Sequence, residues 1–286
     1  MKISVVQGSI ADQKTDAIIL NLLEGVTEPM GATGAVDKAL EGAIRDLIAG
    51  GDFTGKLNST AVLYPRGQLA PQRVLVVGLG KAETLTLDKV RTASATATQN
   101  ARALGAARAA TVVHGAGAGR LDPARAAQAV VEGAILGGYE FRDLKSKESD
   151  QPLDALTLVE FDAEKIAAVE RGARAGQAIA DAANFTRDLV NQPPNICIPE
   201  YMAAKAEQIA EAYGLTCRVL EREEMRELGM GALLAVAAAS AIPPKFIILE
   251  HRPAGTENPT DATLPAKIFR IVVVLREIGH REKRSE

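Results

Sequence analysis

Three histidines, two cysteines and scattered serines are the side chains of this 286-residue chain that could do nucleophilic or metal chemistry, and their spacing argues against it. His114, His251 and His280 lie far apart, and none stands in a His-x-x-x-His or Glu-x-x-His pattern that would put two ligands on one helix face. Ser9, Ser59, Ser94 and Ser240 lack the Gly-x-Ser-x-Gly turn that exposes a serine nucleophile. Cys197 lies beside a proline turn and Cys217 in an expected strand, so both read as buried or bystander thiols. Glu277 and His280 have helical spacing, but in a charged tail they read as solvated charges rather than as a metal site. The reading is that no catalytic, cofactor-binding or metal residue is present.

Two glycine-rich stretches could cradle a phosphate. Val74 to Lys81, VLVVGLGK, lacks the Gly-x-x-x-x-Gly-Lys-Ser/Thr span that wraps one. Val112 to Arg120, VVHGAGAGR, has Arg120 where a dinucleotide fingerprint needs Gly or Ala. Both are expected to be tight turns after strands.

These groups are positioned by alternating elements. Ile3 to Val6, Ala17 to Leu20, Ala61 to Tyr64, Arg73 to Gly78, Ala110 to Val113 and Ala155 to Phe161 are short apolar runs bounded by turn residues, as buried strands are. In Gly34 to Ile48 the residues Val36, Leu40, Ala43, Ile44, Leu47 and Ile48 make one apolar stripe, predicting a single helix ended by Gly50 and Gly51. Asp122 and Pro123 open another helix as cap and first-turn residue. Phe141 to Pro152 is polar and aperiodic, an expected exposed connection. Ala163 to Asn191 runs without proline, long enough to bridge two domains, until Pro193 and Pro194 stop it. Tyr201 to Tyr213 and Arg222 to Leu228 read as helices, while Thr216 to Leu220, Phe246 to Glu250 and Lys267 to Leu275 read as strands, with a loop from Arg252 to Pro265. The alternation predicts an α/β fold.

Composition narrows the function classes. A hydrophobic content of 47% can fill a substantial core, and 36 acidic against 33 basic residues leave no basic face for nucleic acid. The N-terminus has no signal-peptide pattern, and no apolar run approaches the ~18 residues of a membrane span. Two cysteines make neither a disulfide framework nor a paired zinc spacing, so a reducing, cytoplasmic location is expected.

The turn NQPPNICIPE at Asn191 to Glu200, the run Glu224 to Val236 and the strand PPKFI at Pro243 to Ile247 occur in an order that resembles the leucyl (cytosol) aminopeptidase family. TDAIIL, GATGAVDKAL and RVLVVGLGK extend the resemblance through the first half. It implies a macro-domain-like α/β domain over residues 1–162, a bridging helix over 163–191, and the incomplete start of an α/β metallo-aminopeptidase catalytic domain over 192–286, with a non-family tail from about 275. The family releases N-terminal amino acids from peptides with two divalent metal ions, manganese or zinc, that activate a bridging water. Its ligands come from a Gly-Lys-Gly segment, a Phe-Asp-x-Gly-Gly turn and an Asn-Thr-Asp-Ala-Glu-Gly-Arg segment. None occurs here: the strand that would lead into the first of them continues as Leu275, Arg276, Glu277.

The resemblance therefore implies a chain truncated before the dimetal site, inactive as written and with no cofactor of its own expected. Peptides with free N-termini and a homo-oligomer, the family hexamer, are the implied partners of the intact protein; nucleic acid and membrane are not. A standalone assembly or regulatory module is the alternative. A further alternative is an ADP-ribose-type nucleotide-binding role for the first domain, because Asp16, Ala17 and Gly31 to Gly34 are placed roughly as in macro domains. The asparagine and triple glycine usual in such binders are missing.

Overall fold

Runs of Val, Ile and Leu become strands here because their branched side chains pack well on a pleated surface, and Gly, Pro or Asp at their ends lets the chain turn. The computed structural model describes residues 1–117, 119–145, 152–251 and 269–275. The expected loop at 252–265, the tail beyond 275 and part of the 141–152 connection lie outside the described residues. Two units are distinguished, Met1–Asp188 and Leu189–Glu286.

The first unit contains β1 (Lys2–Gln7), β2 (Ala17–Leu22), α1 (Gly31–Ala39), α2 (Ala43–Ala49), β3 (Thr60–Leu63), β4 (Arg73–Gly78), α3 (Leu87–Ala103), β5 (Arg108–Val112), α4 (Pro123–Gly137) and β6 (Ala155–Glu160). α5 (Ala163–Asn191) runs through the boundary between the units. The six strands form one sheet in the order β1-β6-β5-β2-β4-β3, parallel except for β3 against β4. Alternate residues serve opposite faces. Ile19, Leu75, Val77, Leu156 and Leu158 pack with α3, α4 and α5, while Ile18, Leu20, Val74 and Val76 pack with α1 and α2.

The single helix expected over 34–48 is two helices. Glu41 and Gly42 adopt positive φ, 56° and 95°, which breaks the α-helical ladder. The buried carboxylate of Asp37 then starts the second helix: its Oδ1 accepts the amides of Ile44 and Arg45 at 2.9 and 3.0 Å, and its Oδ2 accepts Arg45 Nε at 2.7 Å. The apolar stripe is continuous in sequence because both helices present it to the same face of the sheet.

On the other face the helices touch backbone to backbone. A Cβ on Gly133 would come within 2.2 Å of the Arg91 carbonyl oxygen, and one on Gly172 within 1.9 Å of that of Ala124. Glycine at these positions lets α4 lie against α3 and α5. Arg91 of α3 also pairs with Glu132 of α4, a carboxylate that is 4% exposed and accepts Gln128 Nε2 at 2.7 Å. At the far end of α4, the hydroxyl of Tyr139 donates to Asp188 at 2.8 Å.

His114 lies just past β5 and is 1% exposed. Burial pushes its pKa down from 6.5 to about 4, so the folded protein holds it neutral.

The second unit contains α6 (Pro199–Tyr213), β7 (Thr216–Leu220), α7 (Arg222–Glu227), α8 (Gly231–Ala237), β8 (Lys245–His251) and β9 (Phe269–Leu275). Its strands form an antiparallel sheet in the order β7-β8-β9. Gly214 closes α6 in the left-handed conformation at φ 65°, and Ala203 and Ala206 of α6 pack on Ile247 of β8. Lys245, 8% exposed, reaches Glu200 Oε2 at 2.6 Å and the carboxylate of Glu221. One ammonium thus joins the starts of α6, α7 and β8. Hydrogen bonds to Glu200 and Glu221 raise its pKa.

Three outcomes follow for stability. Gly172→Ala is expected to cost about 1–3 kcal/mol, because a backbone oxygen must move; Arg171→Ala, on the exposed side of the same helix, should stay within about 0.5 kcal/mol in the same urea melts. For His114, the unfolded chain takes up the proton between pH 6.5 and about 4 while the folded chain does not. Stability should therefore fall as pH falls through that window, by up to about 3 kcal/mol, and His114→Gln should flatten this acid limb; an unchanged limb would assign it to other groups. Lys245→Met should cost roughly 1 kcal/mol near pH 7, discounted because both carboxylates are more than half exposed. Since the folded pKa is the raised one, that cost should fade as pH climbs above about 10.4 and through it.

Candidate functional site

The order of the sheet creates the site. β2 and β5 are parallel neighbours, yet the chain leaves β2 toward α1 on one face and leaves β5 toward α4 on the other. Two connections that part in opposite directions leave a crevice at the carboxyl ends of the strands, the usual place for a ligand in an open α/β sheet. A cleft of about 690 Å³ occupies it. Ser9 after β1, Asn21 and Leu22 at the end of β2, Leu79 after β4, Val113 after β5 and Phe161 after β6 all contribute.

Asn21 and Thr33 line it, and a buried polar cluster lies behind them. Asn21 Nδ2 and His114 Nδ1 are 3.0 Å apart, His114 Nε2 and Thr111 Oγ1 3.3 Å, and Thr33 Oγ1 donates to the Asn21 carbonyl at 2.8 Å. The tautomer follows from the amide: Asn21 faces Nδ1 with its nitrogen, which can only donate, so in a neutral imidazole Nδ1 is bare and the proton sits on Nε2. Thr111 Oγ1 then accepts from Nε2–H, and its own proton can go to the carbonyl of Val112 at 3.2 Å or Ile19 at 3.5 Å. The remaining Asn21 N–H and its Oδ1 stay side by side.

The residues singled out in the sequence are dispersed. Asp16 lies at the other end of β2, where its carboxylate accepts the amides of Ala107 and Arg108 at 3.1 and 2.8 Å, so it is not part of the cleft. Gly31 and Ser9 do line the cleft, Ser9 with its hydroxyl oxygen turned to the Ala11 amide at 3.2 Å. Gly115, expected in a tight turn, has φ 82° and also borders the cleft. Ser59 and Ser94 donate to the carbonyls of Lys56 and Val130, and Ser240 accepts the Ile242 amide. Cys197 and Cys217 are half-buried free thiols, and burial with Glu207 nearby raises the pKa of Cys217. His251 is exposed; Glu277 and His280 lie outside the described residues.

Asn21 and Phe161 were not found from sequence. Asn21 interrupts the apolar run AIILNL at its last turn outward, and Phe161 reads as the end of a strand that closes at Glu160. A polar residue at the carboxyl end of a buried strand was the available signal.

Among the described residues no group of three or more His, Cys, Asp and Glu could hold a metal ion. His114 is engaged by Asn21 and Thr111, and Lys245 by two carboxylates. No described helix is long and apolar enough to cross a membrane.

Residues 19–148 match the N-terminal domain of the cytosol aminopeptidase family, and residues 184–264 match its catalytic domain. The probable cytosol aminopeptidase of Geotalea uraniireducens is 41% identical over 225 residues, 78% of this chain and 45% of the relative. That of Roseiflexus castenholzii is 36% identical over 263 residues, 91% of this chain and 51% of the relative. The fold is similar to that of a mutant tomato leucine aminopeptidase, with a TM-score of 0.75 at 24% identity, over 91% of this chain and 52% of that one. The bottromycin maturation enzyme BotP in complex with Mn gives 0.66 at 26% identity, over 84% and 46%. The chain spans about half the length of the curated relatives it matches. With an N-terminal and a catalytic domain of one family matched in order along the same polypeptide, the chain belongs to the cytosol aminopeptidase family.

Proposed function

We propose that these 286 residues are the front portion of a metal-dependent aminopeptidase that removes N-terminal amino acids, leucine among them, from peptides. The observation that carries this reading is the ordered match of both family domains. In it, residues 1–162 are a macro-domain-like scaffold, 163–191 a bridging helix, and 192–286 the opening of the catalytic domain. The catalytic-domain match over residues 184–264 supports the last assignment, and in this reading β9 is the strand that would lead toward the family's first ligand segment.

Two divalent ions, held in the family by segments outside these residues, would supply the Lewis acid and the activated water. The cytosol aminopeptidase relatives and the Mn complex of BotP support that chemistry for the longer protein. A polypeptide of these 286 residues alone contains none of the ligand segments, and we expect it to hydrolyse nothing. A cytoplasmic location and assembly into a homo-oligomer belong to the same reading.

Joining residues 1–274 to the part of the Geotalea uraniireducens relative that follows its equivalent of residue 274 tests both halves of the proposal. The chimera is expected to release the anilide from leucyl p-nitroanilide when Mn or Zn is supplied, and the 286-residue chain is expected not to. A folded chimera without turnover would contradict the front-portion reading, and metal-dependent turnover by the 286 residues alone would contradict their inactivity.

A further inference from the structure

We infer that the cleft at the carboxyl ends of the first unit's parallel strands binds an uncharged ligand of the nucleoside class, an amino-substituted planar heterocycle on a polyol, stacked on Phe161 and read by Asn21. This goes beyond the aminopeptidase reading and does not depend on it.

Four observations converge. The cleft occupies the point where β2 and β5 send the chain to opposite faces, and its volume of about 690 Å³ falls in the range of small-molecule sites. At its mouth the apolar side chains of Phe161 and Met30 are 79% and 81% exposed. An aromatic ring left in water beside a cleft is a ready stacking surface for a planar heterocycle.

Asn21 supplies the selectivity. His114 takes one of its amide protons, which leaves Oδ1 and the second N–H as an adjacent acceptor and donor. Oδ1 takes no bond from the described residues and is not shut away from solvent. That pair complements the amino group and neighbouring ring nitrogen of adenine, as asparagine does when it reads this base elsewhere. With the proton on Nε2, the hydrogen bond to the bare Nδ1 holds the amide in this orientation, since rotating it would set Asn21 Oδ1 against Nδ1.

Charge decides between a nucleoside and its phosphates. Amides at the start of α1 would favour an anion. Against them stand the carboxylates of Glu28 and Glu160 in the lining, and Lys165, the one cationic side chain among the described lining residues, is held by Asp162 at 3.1 Å. Two further phosphates would face two carboxylates with no uncommitted cation, whereas ribose hydroxyls can donate to those same carboxylates.

Calorimetric titration of the full 286-residue protein with adenosine, purine riboside and ADP-ribose tests the inference. Adenosine is expected to bind, and purine riboside, which lacks the amino donor, to bind about fivefold more weakly. ADP-ribose is expected to bind more weakly than adenosine. Phe161→Ala, at an exposed position that leaves folding intact, should weaken adenosine about tenfold. No heat with adenosine at millimolar concentration would overturn the proposal, as would binding that Phe161→Ala leaves unchanged. Tighter binding of ADP-ribose than of adenosine would overturn the uncharged-ligand assignment. Leucyl anilide turnover has no part in these readings, so failure of the aminopeptidase proposal would be seen separately.

Discussion

The neutral imidazole of His114, closed in where β2 and β5 part, is the constraint on which the first unit's site depends. A protonated imidazole there would hold a charge away from water, and burial disfavours it. Kept neutral by burial, it links a hydroxyl bonded to the backbone on one side with an amide facing a cleft on the other. The directions of the Asn21–His114–Thr111 hydrogen bonds follow from the Asn21 nitrogen facing Nδ1. Packing and polarity are thus coupled: the apolar layers that bury His114 also fix the edge Asn21 presents.

The two units rest on different physics. In the first, glycines on α4 and α5 remove the side chains that would hold helices apart, and the sheet is sealed by apolar layers on both faces. The second has a small core around Ala203, Ala206 and Ile247, and a buried lysine between two partly exposed carboxylates does much of the joining. A parallel sheet covered on both faces can close its core within one unit. The antiparallel sheet of the second unit belongs, in the family reading, to a larger domain, and the roughly half coverage of the relatives accords with that.

Much of the architecture was legible because strand signals are local. Runs such as Arg73 to Gly78 carry their own boundaries, and six of them foretold the sheet. The break at Glu41 and Gly42 was not legible, since the apolar stripe continues through it and only the folded position of Asp37 shows which amides its carboxylate caps. The placement of Asp16 failed for a similar reason. Asp16 precedes β2 and so lies at its amino end, and only the parallel pairing of β2 with β5 shows that the cleft is at the other end. Asn21 and His114, 93 positions apart, are brought together only by the parallel pairing of β2 and β5. The family, by contrast, was readable directly, because a proline turn, a helix and a lysine-bearing strand in fixed order are a sequence property.

The most direct test of this account is the protonation state of His114, read from its imidazole nitrogen resonances in the 15N-labelled protein at pH 7. The account predicts a neutral ring with the proton on Nε2 and a bare Nδ1. A proton on Nδ1, or an imidazolium at that pH, would contradict it.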